Sequence, residues 1–146
     1  MCNNLFISLE DIRIYNRALS QDEIKRLYKI GATAKFGVAA NNNTLNQGLV
    51  GYWTFDGKDM AGNIAYDKSG QANNGTLTNG PVRAIGKLGQ ALSFDGVDDA
   101  VQVNAAASIN TIPALTISMW VKTTSIPSSV TLIQKTNYAN QGWYLR

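Results

Sequence analysis

Residues Gln90 to Val103 read QALSFDGVDDAVQV, and they decide the fold. Ala91 to Phe94 and Ala100 to Val103 alternate apolar residues with polar or small ones, the pattern of a strand with one buried face. Between them, Asp95-Gly96-Val97-Asp98-Asp99 reads as a turn. Its glycine permits a sharp reversal, and its aspartates leave carboxylates and bare carbonyls on the rim. An earlier stretch, Gly48 to Gly57 (GLVGYWTFDG), ends in the same Phe-Asp-Gly triplet. Strands that run into repeated acidic turns point to a binding scaffold rather than an enzyme.

The totals agree. The 146 residues suffice for one ordinary domain, or one and a part. Hydrophobic residues make up 45%, enough for a real core, and charged residues only 16%. With Asn, Gly, Ser and Thr plentiful, this balance suits an all-β, loop-rich, secreted-type protein. The net charge is +3 and the pI near 9.1, but the lysines and arginines are scattered, so no nucleic-acid partner is expected. There is no histidine, which removes the usual general base, proton shuttle and zinc ligand together. Cys2 stands alone, so no disulfide forms within the chain. No apolar run is long enough for a membrane helix, and no membrane insertion is expected. The start, MCNNLFISLEDIRIYN, lacks a basic segment followed by an apolar core and does not read as a signal peptide.

In chain order, Leu5 to Tyr15 reads as one or two short strands, with Ile12 and Ile14 on one face and Asp11, Arg13 and Tyr15 on the other. Ser20-Gln21-Asp22-Glu23 is a capping box. Ile24, Leu27 and Tyr28 keep helical spacing behind it, and Gly31 is a helix stop. Residues 32–47 have no period and carry the run Asn41-Asn42-Asn43, so they read as a linker. Gly48 to Phe55 reads as a strand with Trp53 and Phe55 on one face and Tyr52 and Thr54 on the other. Lys58 to Asn74 is turn-rich, with a tight turn at Asp67-Lys68-Ser69-Gly70. Gly75 to Leu77 is a brief strand, and residues 106–113 form a loop or one helical turn. Leu115 to Lys122 (LTISMWVK) is the cleanest strand, with Leu115, Ile117, Met119 and Val121 on its apolar face. Val130 to Lys135 and Gly142 to Leu145 are two more.

Six of these pieces, taken in order, resemble the first half of a laminin-G-like, concanavalin-A-like jelly-roll module. They are Gly51-Tyr52-Trp53-Thr54-Phe55-Asp56-Gly57; Asp67-Lys68-Ser69-Gly70 with Asn74-Gly75; Gly86-Lys87-Leu88-Gly89-Gln90-Ala91-Leu92; Phe94-Asp95-Gly96-Val97-Asp98-Asp99; Thr116 to Lys122; and Gly142-Trp143-Tyr144-Leu145. Ala100 departs from the family, which often has an aromatic residue there. The opening, Glu10 to Ser20 with Glu23-Ile24, resembles the closing strand and last helix of such a module, with Glu10 where aspartate is usual. The resemblance implies an incomplete antiparallel jelly-roll β-sandwich with one short N-terminal helix. Residues 1–31 would be the tail of one module, 32–47 a linker, and 48–146 the head of the next. Because first and last strands of this fold lie side by side, residues 8–16 could instead pair with 48–57 of the same chain, as in a circular permutant. The open sheet edges of an incomplete sandwich imply self-association.

The resemblance also implies a role: a non-catalytic carbohydrate-binding or adhesion module, extracellular or on a cell surface, within a longer protein and with a glycan or surface protein as partner. Alternatives are a spacer repeat without a ligand and an accessory module of a glycoside hydrolase. Related jelly rolls hold a structural calcium, which carries over to Glu10, Asp11, Asp56, Asp95 and Asp98; hard cations bind converging carboxylates and carbonyls. Local turn capping is the plainer account of the same acids. For a sugar, Asn137, Tyr138, Asn140 and Trp143 cluster near the end, while Asn73 and Asn74 lie on a loop. Trp53, Trp120 and Trp143 also sit in strand patterns, where packing is the commoner role. Glucanases of this fold use paired carboxylates on one strand. Glu10 and Glu23 are the two glutamates of the chain, and neither has an acidic partner at strand spacing.

Overall fold

The computed structural model describes residues 6–33, 43–104, 106–110, 112–124, 130–135 and 143–145. The elements are β1 (Ile7–Tyr15), α1 (Gln21–Thr33), α2 (Asn43–Asn46), β2 (Leu49–Trp53), a 3₁₀ turn (Gly57–Asp59), β3 (Met60–Ala61), β4 (Ile64–Ala65), β5 (Gly75–Thr78), β6 (Val82–Ile85), β7 (Gln90–Phe94), β8 (Ala100–Val103), α3 (Ala107–Asn110), β9 (Thr116–Thr123), β10 (Ile133–Lys135) and β11 (Trp143–Leu145). Every strand pairing among them is antiparallel. The protein is all-β in class. One sheet runs β2-β1-β7-β6 with β9 also on β1, a second runs β3-β4-β5-β8, and β10 and β11 form a hairpin.

β1 is the axis of the first sheet. One of its edges pairs with β9 from Ile7↔Thr123 to Tyr15↔Thr116. The other is shared: Ile7 to Leu9 pair with β7, and Ile12 to Tyr15 pair with β2, Ile12 opposite Trp53. Residues 8–16 therefore do pair with the 48–57 stretch of the same chain. Between Glu10↔Trp120 and Arg13↔Ser118 the register shifts, so Asp11 and Ile12 stand where β9 offers Met119 alone. This is a β-bulge. Asp11 takes a left-handed conformation, φ 53°. A bulge switches the parity of the strand, and the side chains require it: Ile7 and Leu9 before it and Ile12 and Ile14 after it all join the same core.

That core is shared by the two sheets. Ile7, Leu9, Ile12, Ile14, Val50, Trp53 and Leu92 enter it from the first sheet, Met60 and Ala65 from the second, with Leu77, Val101 and Val103 packed against them. Phe55 also points in, as the alternation with Tyr52 and Thr54 requires. Asn73 lies on a loop, as read from sequence, but is buried: its Nδ2 donates to Val50 O at 2.6 Å, and Trp53 Nε1 donates to its carbonyl at 3.0 Å. The Asp67 carboxylate gathers the neighbouring turn, accepting from Tyr52 N, Ser69 N, Ser69 Oγ and Asn73 N at 2.7–2.9 Å. β6 is a strand that the turn punctuation on either side of it concealed; it ends the first sheet's β2-β1-β7-β6 path, and Ile85 is 90% exposed.

The outer face of β1 carries a second, smaller cluster of Tyr15, Leu27, Leu45 and Leu49, which seats α1 and α2 on the sheet. The capping box forms: Glu23 N donates to Ser20 Oγ at 3.3 Å, and Ser20 N to Glu23 Oε2 at 2.9 Å. Arg17 ties the unit together. It donates to both Glu23 carboxylate oxygens at 2.9 and 2.7 Å and to the carbonyls of Thr44 and Gln47 at 2.8 Å. The bidentate guanidinium, with the Ser20 amide, holds the Glu23 carboxyl down at about 2. The inward residues are Glu23, Leu27 and Gly31, whereas Ile24 and Tyr28 are exposed. Gly31 does not stop the helix, which continues to Thr33; a Cβ on Gly31 would overlap the Trp120 indole, so its role is close approach.

Candidate functional site

At the bulge of β1 the shared edge has a gap, because β2 ends at Trp53 before β7 begins at Gln90. A cleft of about 180 Å³ opens there, lined by Glu10, Asp11 and Arg13 from β1, Tyr52, Thr54 and Asp56 from the end of β2, Leu88 and Gln90 from the start of β7, and Ile30 from α1. Three segments far apart in sequence are thus brought to one place by the strand that pairs with both others.

Each lining group is held. The Glu10 carboxylate is 4% exposed and accepts hydrogen bonds from Lys87 N and from Leu88 N, the latter at 3.1 Å. A Cβ on Gly86 would overlap this carboxylate, so the loop approaches closely because Gly86 has none. Arg13 Nη2 donates to Asp11 Oδ1 at 3.1 Å and to the Tyr52 hydroxyl at 3.0 Å, and its guanidinium stacks over the Tyr52 ring at 4.4 Å. Asp56 Oδ1 accepts from Gln90 N at 2.9 Å, and Gln90 Oε1 accepts from Gly57 N at 2.6 Å. Thr54 Oγ1 donates to Asp59 Oδ2 at 2.8 Å, and Lys68 lies 3.2 Å from the other oxygen. Burial pushes the Asp59 carboxyl up, but the Thr54 hydroxyl and the Lys68 ammonium outweigh it and hold its pKa below the usual value.

Burial would likewise lower the Arg13 pKa, and it is overcome by the charge of Asp11 and by Tyr52, so the guanidinium stays firmly charged. Burial, then the nearby Asp11 charge, push the Tyr52 phenol up to about 12 against the opposing pull of Arg13. Burial raises the Tyr15 phenol as well. The cleft therefore presents a fixed cation, fixed carboxylates, a neutral phenol, the Gln90 amide and the apolar surfaces of Ile30 and Leu88.

The five acids expected at a metal fall into two groups. Glu10, Asp11 and Asp56 line the cleft. Asp95 and Asp98 stand with Asp99 in the β7–β8 turn, where the three carboxylates have oxygens within 4.8 Å of one another. In that turn Asp95 Oδ1 accepts from Val97 N and Asp99 Oδ2 from Asp95 N, the local bonds that acidic turns make with or without an ion. Of the expected sugar contacts, Asn137, Tyr138 and Asn140 lie outside the described residues. Trp143 is half-buried and packs against the main core, opposite Lys135 in the β10–β11 hairpin. Arg13, Tyr52, Thr54 and Gln90 were not singled out from sequence. The available signal was the parity break between Leu9 and Ile12, which marks the bulge around which they gather. No family model, curated protein or solved structure matches the chain. No helix among the described residues is long and apolar enough to cross a membrane.

Proposed function

We propose that the chain belongs to a non-catalytic carbohydrate-binding or adhesion module of a secreted or cell-surface protein, folded as a concanavalin-A-like jelly-roll β-sandwich. Two antiparallel sheets over one core support the fold, as does the pairing of β1 beside β2, where such a module's closing and opening strands would meet. The cleft carries the function. Sugar hydroxyls donate and accept at once, and they are recognised by rigid groups of both kinds beside a modest apolar surface. Arg13 has five N–H donors and commits Nη2 to Asp11 and Tyr52, so Nη1 and Nε are not spent on those bonds. The Gln90 amide nitrogen adds donors, and the lone pairs left on Glu10, Asp11 and Asp56 add acceptors.

The test is a glycan array followed by calorimetry on the intact chain. Binding in the micromolar to millimolar range, about −8 to −4 kcal/mol, is expected, with loss in Gln90→Ala, which alters the cleft rim without touching the core. An array with no bound glycan would favour the spacer reading. Glycoside hydrolysis is the second reading, favoured by three carboxylates on one cleft. Against it, Glu10 is held by two backbone amides and Asp11 by Arg13. Release of a chromogenic aglycone by the chain, abolished in Asp56→Asn, would replace binding with catalysis.

A further inference from the structure

We infer that the sugar taken by the cleft carries a positively charged amino group. This rests on the carbohydrate reading and narrows it. At the level of the whole chain, a net charge of +3 would suggest acidic glycans. The cleft has the opposite sign: its lining holds three carboxylates, Glu10, Asp11 and Asp56, against one guanidinium, Arg13.

The pairing within the cleft decides which charges are open. Arg13 answers Asp11 at 3.1 Å. Glu10 is met by uncharged backbone amides, and so is Asp56 at Oδ1. Three other cations lie near. Arg83 Nη1 lies 3.1 Å from where a Cβ on Gly57 would stand, close to the Gln90 side chain. Lys58 stands 4.0 Å from Asp56 with its side chain 76% exposed, an arrangement that contributes little. The Lys87 ammonium is turned onto the Trp120 ring, 4.0 Å from its centroid, although its backbone amide serves Glu10. Glu10 and Asp56 thus keep oxygen lone pairs and charge that amide donors satisfy only in part. A hydroxyl would add hydrogen bonds but no counter-charge, an N-acetyl group would add bulk, and a sulfate or carboxylate would be repelled. An ammonium supplies three donors and a charge from one atom. The volume of about 180 Å³ suits a single pyranose ring.

The experiment compares four probes on the intact chain by calorimetry: glucosamine oligomers, N-acetylglucosamine oligomers, cellulose oligomers and heparin fragments. Glucosamine oligomers are expected to bind at least tenfold tighter than the other three, and the preference should shrink in Asp56→Asn but not in Asp99→Asn, which removes an acid from the turn outside the cleft. Because Asp56→Asn could disturb folding, a second measurement uses the unaltered protein: high salt should weaken the glucosamine oligomer and leave the cellulose oligomer unchanged. Equal affinity for charged and neutral oligomers, a preference for heparin, or loss of the preference in Asp99→Asn would each overturn the inference while leaving carbohydrate binding intact. Failure of all four, together with an empty glycan array, would overturn carbohydrate binding itself.

Discussion

β1 and β9 lie side by side and pair from Ile7↔Thr123 to Tyr15↔Thr116, yet they live in different surroundings. In β1, seven of nine residues are buried; in β9 none is, and Val121 is 43% exposed. From sequence the order would be reversed, because LTISMWVK alternates without a fault while ISLEDIRIY breaks step in the middle. Alternation fixes which side chains share a face. It does not say what will be laid on that face or along the other edge. β1 has β9 on one edge, β2 and β7 on the other, the core beneath and α1 with α2 above. Among the described residues β9 has one paired edge, and of its expected apolar face only Met119 packs against the buried core.

The sharpest way to break this contrast uses one rung of the ladder, where Ile14 faces Ile117. Ile14 is 5% exposed, so Ile14→Ala should cost about 2–5 kcal/mol, while half-buried Ile117→Ala should cost roughly 1. Urea unfolding of both variants checks it; equal costs would mean that β9 is as deeply set as β1. Next comes the neighbouring rung, Arg13↔Ser118. Arg13→Met strands Asp11 and the Tyr52 hydroxyl in a part-buried setting and should cost about 1–3 kcal/mol, whereas Ser118→Ala should stay within about 0.5. The bulge itself supplies the reason, since it is what turns Arg13 away from the core.

Two smaller effects probe the helix that covers β1. Alanine normally improves a helix interior over glycine by about 1 kcal/mol, but at Gly31 the new methyl would meet the Trp120 ring. Gly31→Ala should therefore destabilise by about 1–2 kcal/mol and shift the tryptophan emission, because the indole must leave its place against α1. A stabilised variant would show that Trp120 gives way freely, and with it a close contact between β9 and the outer layer. Ser20→Ala should cost about 1 kcal/mol through the lost cap, read as a lower unfolding midpoint.

Much of this architecture was legible. The strands at Gln90–Phe94 and Ala100–Val103, the capping box, and the inward Trp53 and Phe55 follow from local pattern and bond chemistry, which depend on near neighbours. Gly31 was misread because a glycine behind a helical run signals a C-cap equally well as a close contact, and the contact here comes from a residue far along the chain. The cleft was illegible for the same reason. Glu10, Tyr52, Asp56 and Gln90 share no motif; they meet because β1 pairs with two strands in succession, a fact of register. The acids it gathers were chosen from sequence for a different purpose, by resemblance, while Arg13, which sets their charge balance, was passed over as one basic residue among scattered ones.

The smallest expected effect reads the buried side of the contrast directly. Tyr52, on the β2 flank of β1, has its phenol pushed up to about 12, against about 10 for an ordinary tyrosine. A phenol whose folded pKa is raised contributes stability that is whole below the unfolded value. As pH climbs past 10, the unfolded chain gives up this proton first and binds fewer than the folded one, so stability falls with pH until the folded group titrates near 12. Burial raises Tyr15 on β1 in the same direction, which adds to the slope. A spectroscopic titration should find tyrosinate absorbance arriving late in the native protein and earlier in urea. Tyr52→Phe should remove part of the late signal and flatten the alkaline loss of stability. If native and denatured titrations coincide, the β2 flank of β1 is open to water, and the cleft lacks the desolvation that lets Arg13, Glu10 and Asp56 hold a ligand.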